Sequence, residues 1–376
     1  MVLEMVLESV FAIADIFFVS KLGADAVSAV GITESLLSIV YALSIGLSIG
    51  TAALISRRTG EKRPEDAAKI AGNSIILALF ISIFISVLGF GFAEKLLILM
   101  GADKNIIATG IGYTRIMFAS NVVIMLLFVI NAIFRNTGDA AISMHILWVA
   151  NGNNLILDPI LIFGLWFIPA LGVKGAAIAT TIGRGSAVIF QLYVLFKGTK
   201  RMKLVFEHFK IDIKIIYKIV QLSLGGIFQN IIATSSWIFL VRIISSFGSV
   251  VVAGYTIAIR ILMFTILPSW GIGNAAATLT GQNLGAKQPK RAEKSVLIAA
   301  LINMVFLSLV AIILISFSQS FISFFINDEE VIANGTNGMK IKYGTKAVEI
   351  TEIGIKWMVA ISALFQHLKW AMFMQF

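Results

Sequence analysis

The segment WVANGNNLILDPILIFG, from Trp148 to Gly164, decides how this chain is interpreted. Its composition is that of a membrane-spanning helix. Asn151, Asn154 and Asp158 follow one another at intervals of three and four residues, so they share one helix face. A carboxylate at the centre of a membrane helix costs about 2.5–3.5 kcal/mol on insertion scales, so it normally faces a bundle interior or a cavity. The segment therefore predicts a polar stripe that points into a helix bundle.

The proline in this segment adds a further polar group. Pro159 supplies no N–H, so the carbonyl of Leu155 loses its helical hydrogen-bond partner. One carboxylate, two carboxamides and a freed carbonyl together favour an oxygen-rich cation site. The alternative interpretation is that Asn151 and Asn154 only join neighbouring helices through hydrogen bonds.

The overall composition is that of a polytopic membrane protein. Of the 376 residues, 58% are hydrophobic and 13% are charged, and the mean hydropathy is +0.94. A soluble domain is about 25% charged. The apolar runs are long and repeated, which favours α-helices over a β-barrel. We therefore expect an all-α chain whose main partner is the lipid bilayer.

The sequence lacks the local motifs of common enzyme classes. It has no HExxH, no glycine-rich phosphate loop and no GxSxG. With no cysteine, disulfide scaffolds and thiolate chemistry are excluded, and with only three histidines a transition-metal site is not expected. We therefore predict that the protein is not an enzyme and needs no cofactor.

Acidic residues also mark the first predicted span, at about residues 2–20. Glu4, Glu8 and Asp15 lie at offsets that put all three on one helix face. A single acid near a helix end can reach water by extending its side chain, which is the alternative for Glu4. Three acids on one stripe favour a wet interior, and Asp15 is the foremost candidate among them.

The apolar pattern predicts eight further spans. Their approximate ranges are 30–56, 70–91, 111–134, 148–164, 175–196, 219–247, 250–284 and 294–325. The segment AEKLLILMGADK, residues 93–104, is predicted as an amphipathic connection.

Arg184 and Arg260 lie inside spans, where each could neutralise an acid, contact a substrate or bind backbone carbonyls. His145 lies on a different face from Asp158 and is interpreted as a packing residue.

Lysine and arginine are distributed unevenly between the two sides of the predicted membrane layout. The loops after spans two, four, six and eight contain 17 of them, whereas the opposite loops contain 4, or 6 if residues at span ends are included. Cytoplasmic loops are enriched in lysine and arginine. This bias predicts a multi-pass protein of the cell membrane with a cytoplasmic N-terminus. It also accounts for the net charge of +10 without nucleic acid as a partner.

An internal repeat is visible at a constant offset of 225 residues. Residues 46–69 and 271–294 share eight identities in 24 aligned positions, among them Gly60 with Gly285 and Lys62 with Lys287. Six spans separate the copies, which predicts two six-span halves related by an axis along the membrane normal, with the substrate site between them. The same offset pairs Glu4 with Gln229, so the acids of the first half are not repeated. We therefore expect carboxylate chemistry in the amino-terminal half.

These features predict two pseudo-symmetric six-helix lobes, of which the second is truncated. Residues 1–197 would form the first lobe, 198–218 a basic cytoplasmic linker, and 219–341 spans seven to nine and the start of span ten. The pattern is lost in 342–376, where charged residues interrupt the expected tenth span. A truncated or frame-shifted end would produce this change.

Several motifs together resemble the multidrug and toxic compound extrusion (MATE) family. They are ADIFFVSKLGADAVSAVG (14–31), FRNTGD (134–139), NLILDPILIFG (154–164), GVKGAAIAT (172–180), GYTIAIRI (254–261) and GIGNAAATLTGQNLGA (271–286). The resemblance covers about residues 2–341, and the first turns of span one are missing. It implies two six-helix lobes that export organic cations and other amphipathic compounds in exchange for sodium ions or protons. The implied coupling positions, where Na⁺ or H⁺ would bind, are Asp15, Asn154, Asp158 and Thr180.

The expected function is thus antiport of small amphipathic or cationic substrates by alternating access. The secondary cavity candidates are Glu4, Glu8, Asn151, Gln229, Arg184 and Arg260. A lipid-linked oligosaccharide flippase of a related family is an alternative, although it would favour a cationic cavity. A truncated, non-transporting remnant is a third possibility. A channel is disfavoured because no segment resembles a selectivity-filter loop.

Overall fold

The computed structural model describes residues 17–19, 21–165, 168–199, 201–245 and 268–323, together with 329, 332, 333 and 336. Within these ranges all regular structure is helical, which confirms the predicted all-α class. The helices are α1 Ala24–Gly60, α2 Pro64–Leu99, α3 Lys104–Ala119, α4 Asn121–Thr137, α5 Ala140–Phe163, α6 Val173–Lys197, α7 Ile213–Ser245, α8 268–285, α9 Pro289–Ser316 and α10 Ser318–Ser323. A short 3-10 helix, Phe206–Phe209, precedes α7.

Six of these helices are long and apolar enough to cross a membrane: α1, α2, α5, α6, α7 and α9. The number becomes seven if α3 and α4 form one bent span. The predicted spans two to seven and span nine therefore correspond to helices of the described chain. The first predicted span, apart from residues 17–19, lies outside the described residues.

The chain divides into two compact units. One takes in the residues up to Ile231 and also Ala277–Glu293, and it contains most of the features discussed below. The other contains Ile232–Ala276 and the residues from Lys294 onward. The predicted lobe boundaries near 197 and 219 remain predictions.

The turn between α1 and α2 is much shorter than the basic loop predicted there. Only residues 61–63 separate the two helices, and Lys62 takes a left-handed conformation with φ 57°. Pro64 occupies the first position of α2, and Glu65 and Asp66 lie in its first turn. Proline at this position and acids near a helix N-terminus both stabilise a helix start, so α2 begins earlier than its hydrophobicity suggests.

The segment 93–104 was predicted as a connection, but its first half continues α2 as far as Leu99. Ala93 and Leu97, four residues apart, are fully buried and face the bundle. The exposed charges Glu94 and Lys95 lie on the other face. Amphipathic character here marks the end of a long helix rather than a separate connection.

The predicted fourth span is broken into α3 and α4, which meet at Ser120 with a bend of 42°. Asn121 Nδ2 donates hydrogen bonds to the carbonyl oxygens of Ser82 and Phe118 and to Ser86 Oγ, at 3.1, 2.8 and 2.8 Å. A side chain that bonds backbone groups at a break stabilises a kink where no proline is present. The predicted continuous span was therefore wrong at this position.

The predicted basic linker, 198–218, is partly helical because α7 begins at Ile213. Asp212 Oδ1 accepts hydrogen bonds from the backbone N–H groups of Lys214 and Ile215, at 2.9 and 3.2 Å. A capping aspartate satisfies N–H groups that have no partner inside the helix. The cap therefore starts α7 ahead of the apolar run.

One end of the first unit collects the ends of α1, α4, α6 and α8 and the starts of α2, α5 and α7. We call this end the basic side. Hydrogen bonds tie these termini together: Arg201 Nη1 donates to the carbonyl of Thr137 at 3.2 Å, and Asn73 Nδ2 donates to the carbonyl of Lys210 at 3.2 Å. The opposite side is the end where α5 stops and α6 begins.

Candidate functional site

Asn154, Asp158 and Thr180 come together between α5 and α6. Asn154 Nδ2 donates to Asp158 Oδ1 and to Thr180 Oγ1, each at 3.3 Å. Asp158 is fully buried, and the other two are partly buried. The structure thus joins three of the four residues that the family resemblance implied as coupling positions.

Small residues on α6 allow this contact. Gly175, Ala179 and Gly183 recur every four residues on one face of the helix, and all three are buried. A Cβ atom on Gly183 would lie 2.9 Å from the carbonyl oxygen of Ala150 and 3.0 Å from Asn154 Cβ. Small side chains let membrane helices approach closely, and here they bring the polar stripe of α5 within hydrogen-bonding distance of α6.

Gly175 makes the equivalent close approach at the other end of the site. A Cβ atom there would lie 2.3 Å from the carbonyl oxygen of Leu161. Gly175 and Gly183 therefore flank Thr180 along α6. Helix α5 stays helical through Pro159, as the opening segment predicts.

The chemistry of the three side chains suits a small hard cation or a proton. A carboxylate, a carboxamide oxygen and a hydroxyl are the oxygen ligands that such cations prefer. In the structure the amide nitrogen of Asn154 faces both neighbours. The oxygen and nitrogen of a carboxamide exchange places by a half-turn of the side chain. Asn154 can therefore turn either its N–H group toward the carboxylate or its oxygen toward a bound cation.

The other predicted residues have different positions. Asn151 is partly buried one turn before Asn154, and Gln229 is partly buried on α7. Arg184 Nη1 donates to Tyr41 Oη on α1 at 3.1 Å. Tyr41 was not a predicted site residue, and an isolated tyrosine in an apolar helix has no sequence signal that would single it out. Glu4, Glu8, Asp15 and Arg260 lie outside the described residues.

His145 is exposed on α5, on a different face from the buried Asp158, and its packing role stays a prediction. Its Nδ1 lies 2.6 Å from the carbonyl oxygen of Ala141, one turn earlier in the same helix.

A second polar cluster, which the sequence did not predict as a site, joins three helices closer to the basic side. Asn131 Oδ1 on α4 accepts hydrogen bonds from Ser143 Oγ on α5 and from Gln191 Nε2 on α6, each at 2.6 Å. All three residues are buried. Interhelical hydrogen bonds of this kind stabilise helix association in a bilayer. We interpret the cluster as structural.

The two copies of the repeat meet at the basic side. A Cβ atom on Gly60 would lie 1.9 Å from the carbonyl oxygen of Gln282, and one on Gly285 would lie 2.1 Å from that of Arg57. Gly60 and Gly285 are related by the 225-residue offset, and so are Arg57 and Gln282. The contact is therefore reciprocal, and we call these four residues the helix-end crossing.

The turns that follow the crossing are also equivalent. Lys62 and Lys287 both take φ 57°, the left-handed region that non-glycine residues seldom adopt. Asn136 at the end of α4 supports the crossing, since Thr278 Oγ1 donates to its Oδ1 and Gln282 Nε2 to its carbonyl oxygen, each at 3.0 Å. The repeat pairing of Gly60 with Gly285 thus has a direct structural counterpart.

The sequence is similar to proteins that are named as drug-resistance proteins or transporters. The chain is similar to a protein of Bacillus subtilis named "Probable multidrug resistance protein YoeA", with 26% identity over 88% of this chain and 73% of that protein. It is 28% identical to an FAD transporter of Shewanella oneidensis, over 86% of this chain and 71% of the relative.

Solved structures show the same fold. A MOP superfamily transporter from Pyrococcus furiosus has a TM-score of 0.84 and 26% identity, over 98% of this chain and 81% of that one. An outward-facing MATE family transporter has a TM-score of 0.85 and 27% identity, over 97% and 80%. The MatE family model matches residues 1–160 and 226–343, which is well over half of the sequence. The chain therefore belongs to the MATE family of membrane transporters.

Proposed function

We propose that this protein is a secondary active transporter that exports organic cations and similar drugs by antiport against Na⁺ or H⁺. The observation that supports the proposal best is the buried Asp158 carboxylate, which Asn154 links to Thr180. An ionisable group inside a membrane bundle is expensive to bury, so it marks an ion pathway by default. Several relatives are named as multidrug resistance or multidrug export proteins.

The coupling ion would be bound at the same place in either case, the Asp158 carboxylate and its two neighbours. A sodium ion would take oxygen atoms from Asp158, Asn154 and Thr180, with Asn154 turned so that its oxygen faces the ion. A proton would need only the carboxylate, and Asn154 would keep its observed orientation. Asp15, outside the described residues, is proposed as a further carboxylate of the site.

We propose that transport follows alternating access and that the helix-end crossing closes the basic side. Backbone-to-backbone contact at Gly60 and Gly285 leaves no room for a substrate between these helix ends. Neutralising the carboxylates would change the preferred packing of the first predicted span, at about residues 2–20, and favour separation of the crossing. The basic side would be cytoplasmic, as the lysine and arginine bias predicts, and the membrane would be the cell membrane.

A flippase of lipid-linked oligosaccharides is not favoured by the relatives, which are named as drug or FAD transporters. The FAD transporter does favour a second substrate class, an organic anion. We rank it below organic cations because the polar groups at the site, one carboxylate and two neutral oxygens, attract cations.

The test is gradient-driven efflux from proteoliposomes loaded with ethidium, with a sodium gradient and a pH gradient imposed separately. One of the two gradients should drive efflux in the wild type. Asp158→Asn should abolish the gradient dependence, whereas Glu94→Gln, which changes an exposed carboxylate on α2, should retain it. If Asp158→Asn responds to the same gradient as the wild type, this site is not the coupling site. Loading FAD instead of ethidium tests the second substrate class.

A further inference from the structure

The segment that joins α6 to α7 runs along the basic side as a well-packed layer. We call residues 201–218 the strap. It contains the 3-10 helix Phe206–Phe209 and the first turns of α7. Because it connects two membrane-crossing helices at their ends, it lies at the level where the chain leaves and re-enters the bilayer.

Contacts with the bundle fix the strap in place. The N–H of Leu204 donates to the carbonyl of Leu195 at 2.9 Å, and the N–H of Asp212 donates to Asn73 Oδ1 at 2.9 Å. A Cβ atom on Gly72 would lie 2.2 Å from the carbonyl oxygen of His208, so the strap rests directly on the α2 backbone.

Buried side chains and aromatic contacts complete this attachment. Met202, Leu204 and His208 point inward and are buried. The ring of Phe196 at the end of α6 lies 5.5 Å from that of Phe206 and 5.7 Å from that of Phe209. The strap therefore presents a defined outer face, unlike a flexible polar linker.

Large apolar side chains occupy this outer face. The exposed fractions are 85% for Phe206, 67% for Ile211, 79% for Ile213 and 67% for Tyr217. Leaving such side chains in water is unfavourable, so four of them within twelve residues of a fixed segment mark a candidate binding surface. Helices α6 and α7, which adjoin these residues along the chain, are both long and apolar enough to cross a membrane.

Lysines alternate with the apolar residues. Lys203, Lys210, Lys214 and Lys218 are all exposed, and between residues 197 and 218 the sequence has seven lysines and arginines against two acids. One of the acids, Asp212, is engaged as the cap of α7. Basic and apolar side chains in this arrangement are typical of segments that lie in a membrane interface and bind anionic lipid.

We propose that the outer face of the strap binds the anionic phospholipid headgroups of the adjacent leaflet. The lysines contact lipid phosphates, and Phe206, Ile211, Ile213 and Tyr217 enter the boundary between headgroups and acyl chains. Lysines that only set the membrane topology need neither a fixed backbone nor exposed aromatic neighbours. The proposal requires that the chain spans a membrane, and it is independent of which compound is transported.

The first test measures bound lipid on the detergent-purified full chain by native mass spectrometry. Phosphatidylglycerol and phosphatidylcholine are titrated in parallel. The wild type should prefer phosphatidylglycerol, and in the triple variant Lys203→Gln, Lys210→Gln, Lys214→Gln that preference should fall by roughly 100-fold.

The matched control is Lys287→Gln, Lys290→Gln, Arg291→Gln, in the turn between α8 and α9 and in the first turn of α9. This change removes the same number of charges from an exposed segment whose sequence, from 286 to 293, has no large apolar residue, and it should leave the preference nearly unchanged. Equal losses in the two triple variants, or none in the strap variant, would overturn the proposal. Thermal unfolding of each variant in detergent verifies that it is folded.

The second test measures how deeply the strap lies in the membrane, and it does not depend on the lysines. Because the chain has no cysteine, Phe206→Cys and the control Ala286→Cys each accept one environment-sensitive dye. In phosphatidylglycerol vesicles the dye at position 206 should be quenched by nitroxide attached near the lipid headgroup, and the dye at 286 by aqueous iodide. A dye at position 206 that is quenched like the control contradicts insertion of the strap.

Discussion

Asn154 is the residue that links the carboxylate of α5 to the hydroxyl of α6, since one amide group bonds both Asp158 and Thr180. Its sequence spacing predicts that it shares a face with Asp158. The sequence pattern alone does not reveal that Thr180 is the third member. That assignment came from family resemblance, and the structure supplies the distance.

The Thr180 hydroxyl is expected to contribute to ion affinity. Thr180→Val should weaken the dependence of efflux on the coupling ion by roughly 2- to 10-fold, because a single hydrogen bond or neutral ligand contributes about 0.5–1.5 kcal/mol. Thr180→Ser keeps the hydroxyl and should remain close to the wild type. The measurement is the ion concentration that gives half-maximal ethidium efflux from proteoliposomes. Equal behaviour of the valine and serine variants would show that the hydroxyl is not a ligand.

Glu61, in the turn between α1 and α2, should make stability depend on pH. Partial burial raises the pKa of Glu61, but hydrogen bonds and charge attraction from Arg58 and Arg57 outweigh it and hold the pKa below its ordinary value. A lowered pKa in the folded state means that the stabilisation is present near neutral pH. It is lost as the pH falls through that lowered pKa.

We therefore expect Glu61→Gln to reduce the free energy of unfolding at pH 7 by about 0.5–1 kcal/mol, the size of an exposed ion pair. The difference from the wild type should shrink as the pH falls through the lowered pKa of Glu61 and vanish below it. Thermal unfolding in detergent at a series of pH values measures both. A difference that persists in acid would mean that packing, rather than charge, accounts for it.

At the scale of helices, glycines determine which surfaces meet. Gly183 permits the approach of α6 to Asn154, whereas a Cβ atom on Gly185, two residues later, meets open space. The two positions therefore provide a matched pair within one helix.

Gly183→Leu should force α5 and α6 apart, because the added side chain meets the carbonyl of Ala150 and the Cβ of Asn154. We expect a loss of about 1–3 kcal/mol in stability, as for overpacked cores, together with loss of gradient-driven efflux. Gly185→Leu should preserve both. Thermal unfolding and ethidium efflux provide the two measurements. The packing argument fails if the two variants are equally stable and equally active.

The helix-end crossing allows a similar comparison on α8. Gly285→Val places a side chain against the carbonyl of Arg57, whereas Gly273→Val, on the same helix, meets no atom within 4 Å. We expect Gly285→Val to abolish gradient-driven efflux because the basic side no longer closes. Gly273→Val should retain efflux. Ethidium binding, measured separately by fluorescence in detergent, should persist in Gly285→Val. Normal efflux by this variant would remove the crossing from the transport cycle.

At the scale of the whole molecule, the basic side is expected to face the cytoplasm. In right-side-out vesicles a membrane-impermeant maleimide should label Lys104→Cys, at the start of α3, but not Lys290→Cys, at the start of α9. Both sites become reactive after the vesicles are opened. The absence of native cysteine makes the labelling specific. The opposite labelling pattern would reverse the proposed orientation.

The sequence by itself determined the all-α membrane class, the placement of most spans, the repeat at an offset of 225 residues and the shared face of Asn154 and Asp158. These are local properties, because the bilayer forces backbone hydrogen bonds into helices and helix periodicity decides which residues share a face.

Only the tertiary structure decided which faces meet. The break at Ser120, the start of α7 at Ile213, the pairing of Arg184 with Tyr41 and the reciprocal contact of Gly60 and Gly285 all depend on contacts between distant segments. In a bilayer, hydrophobicity does not distinguish a lipid-facing surface from a helix-facing one. Small residues and a few hydrogen bonds therefore decide the packing, and a one-dimensional pattern does not specify which of them come together.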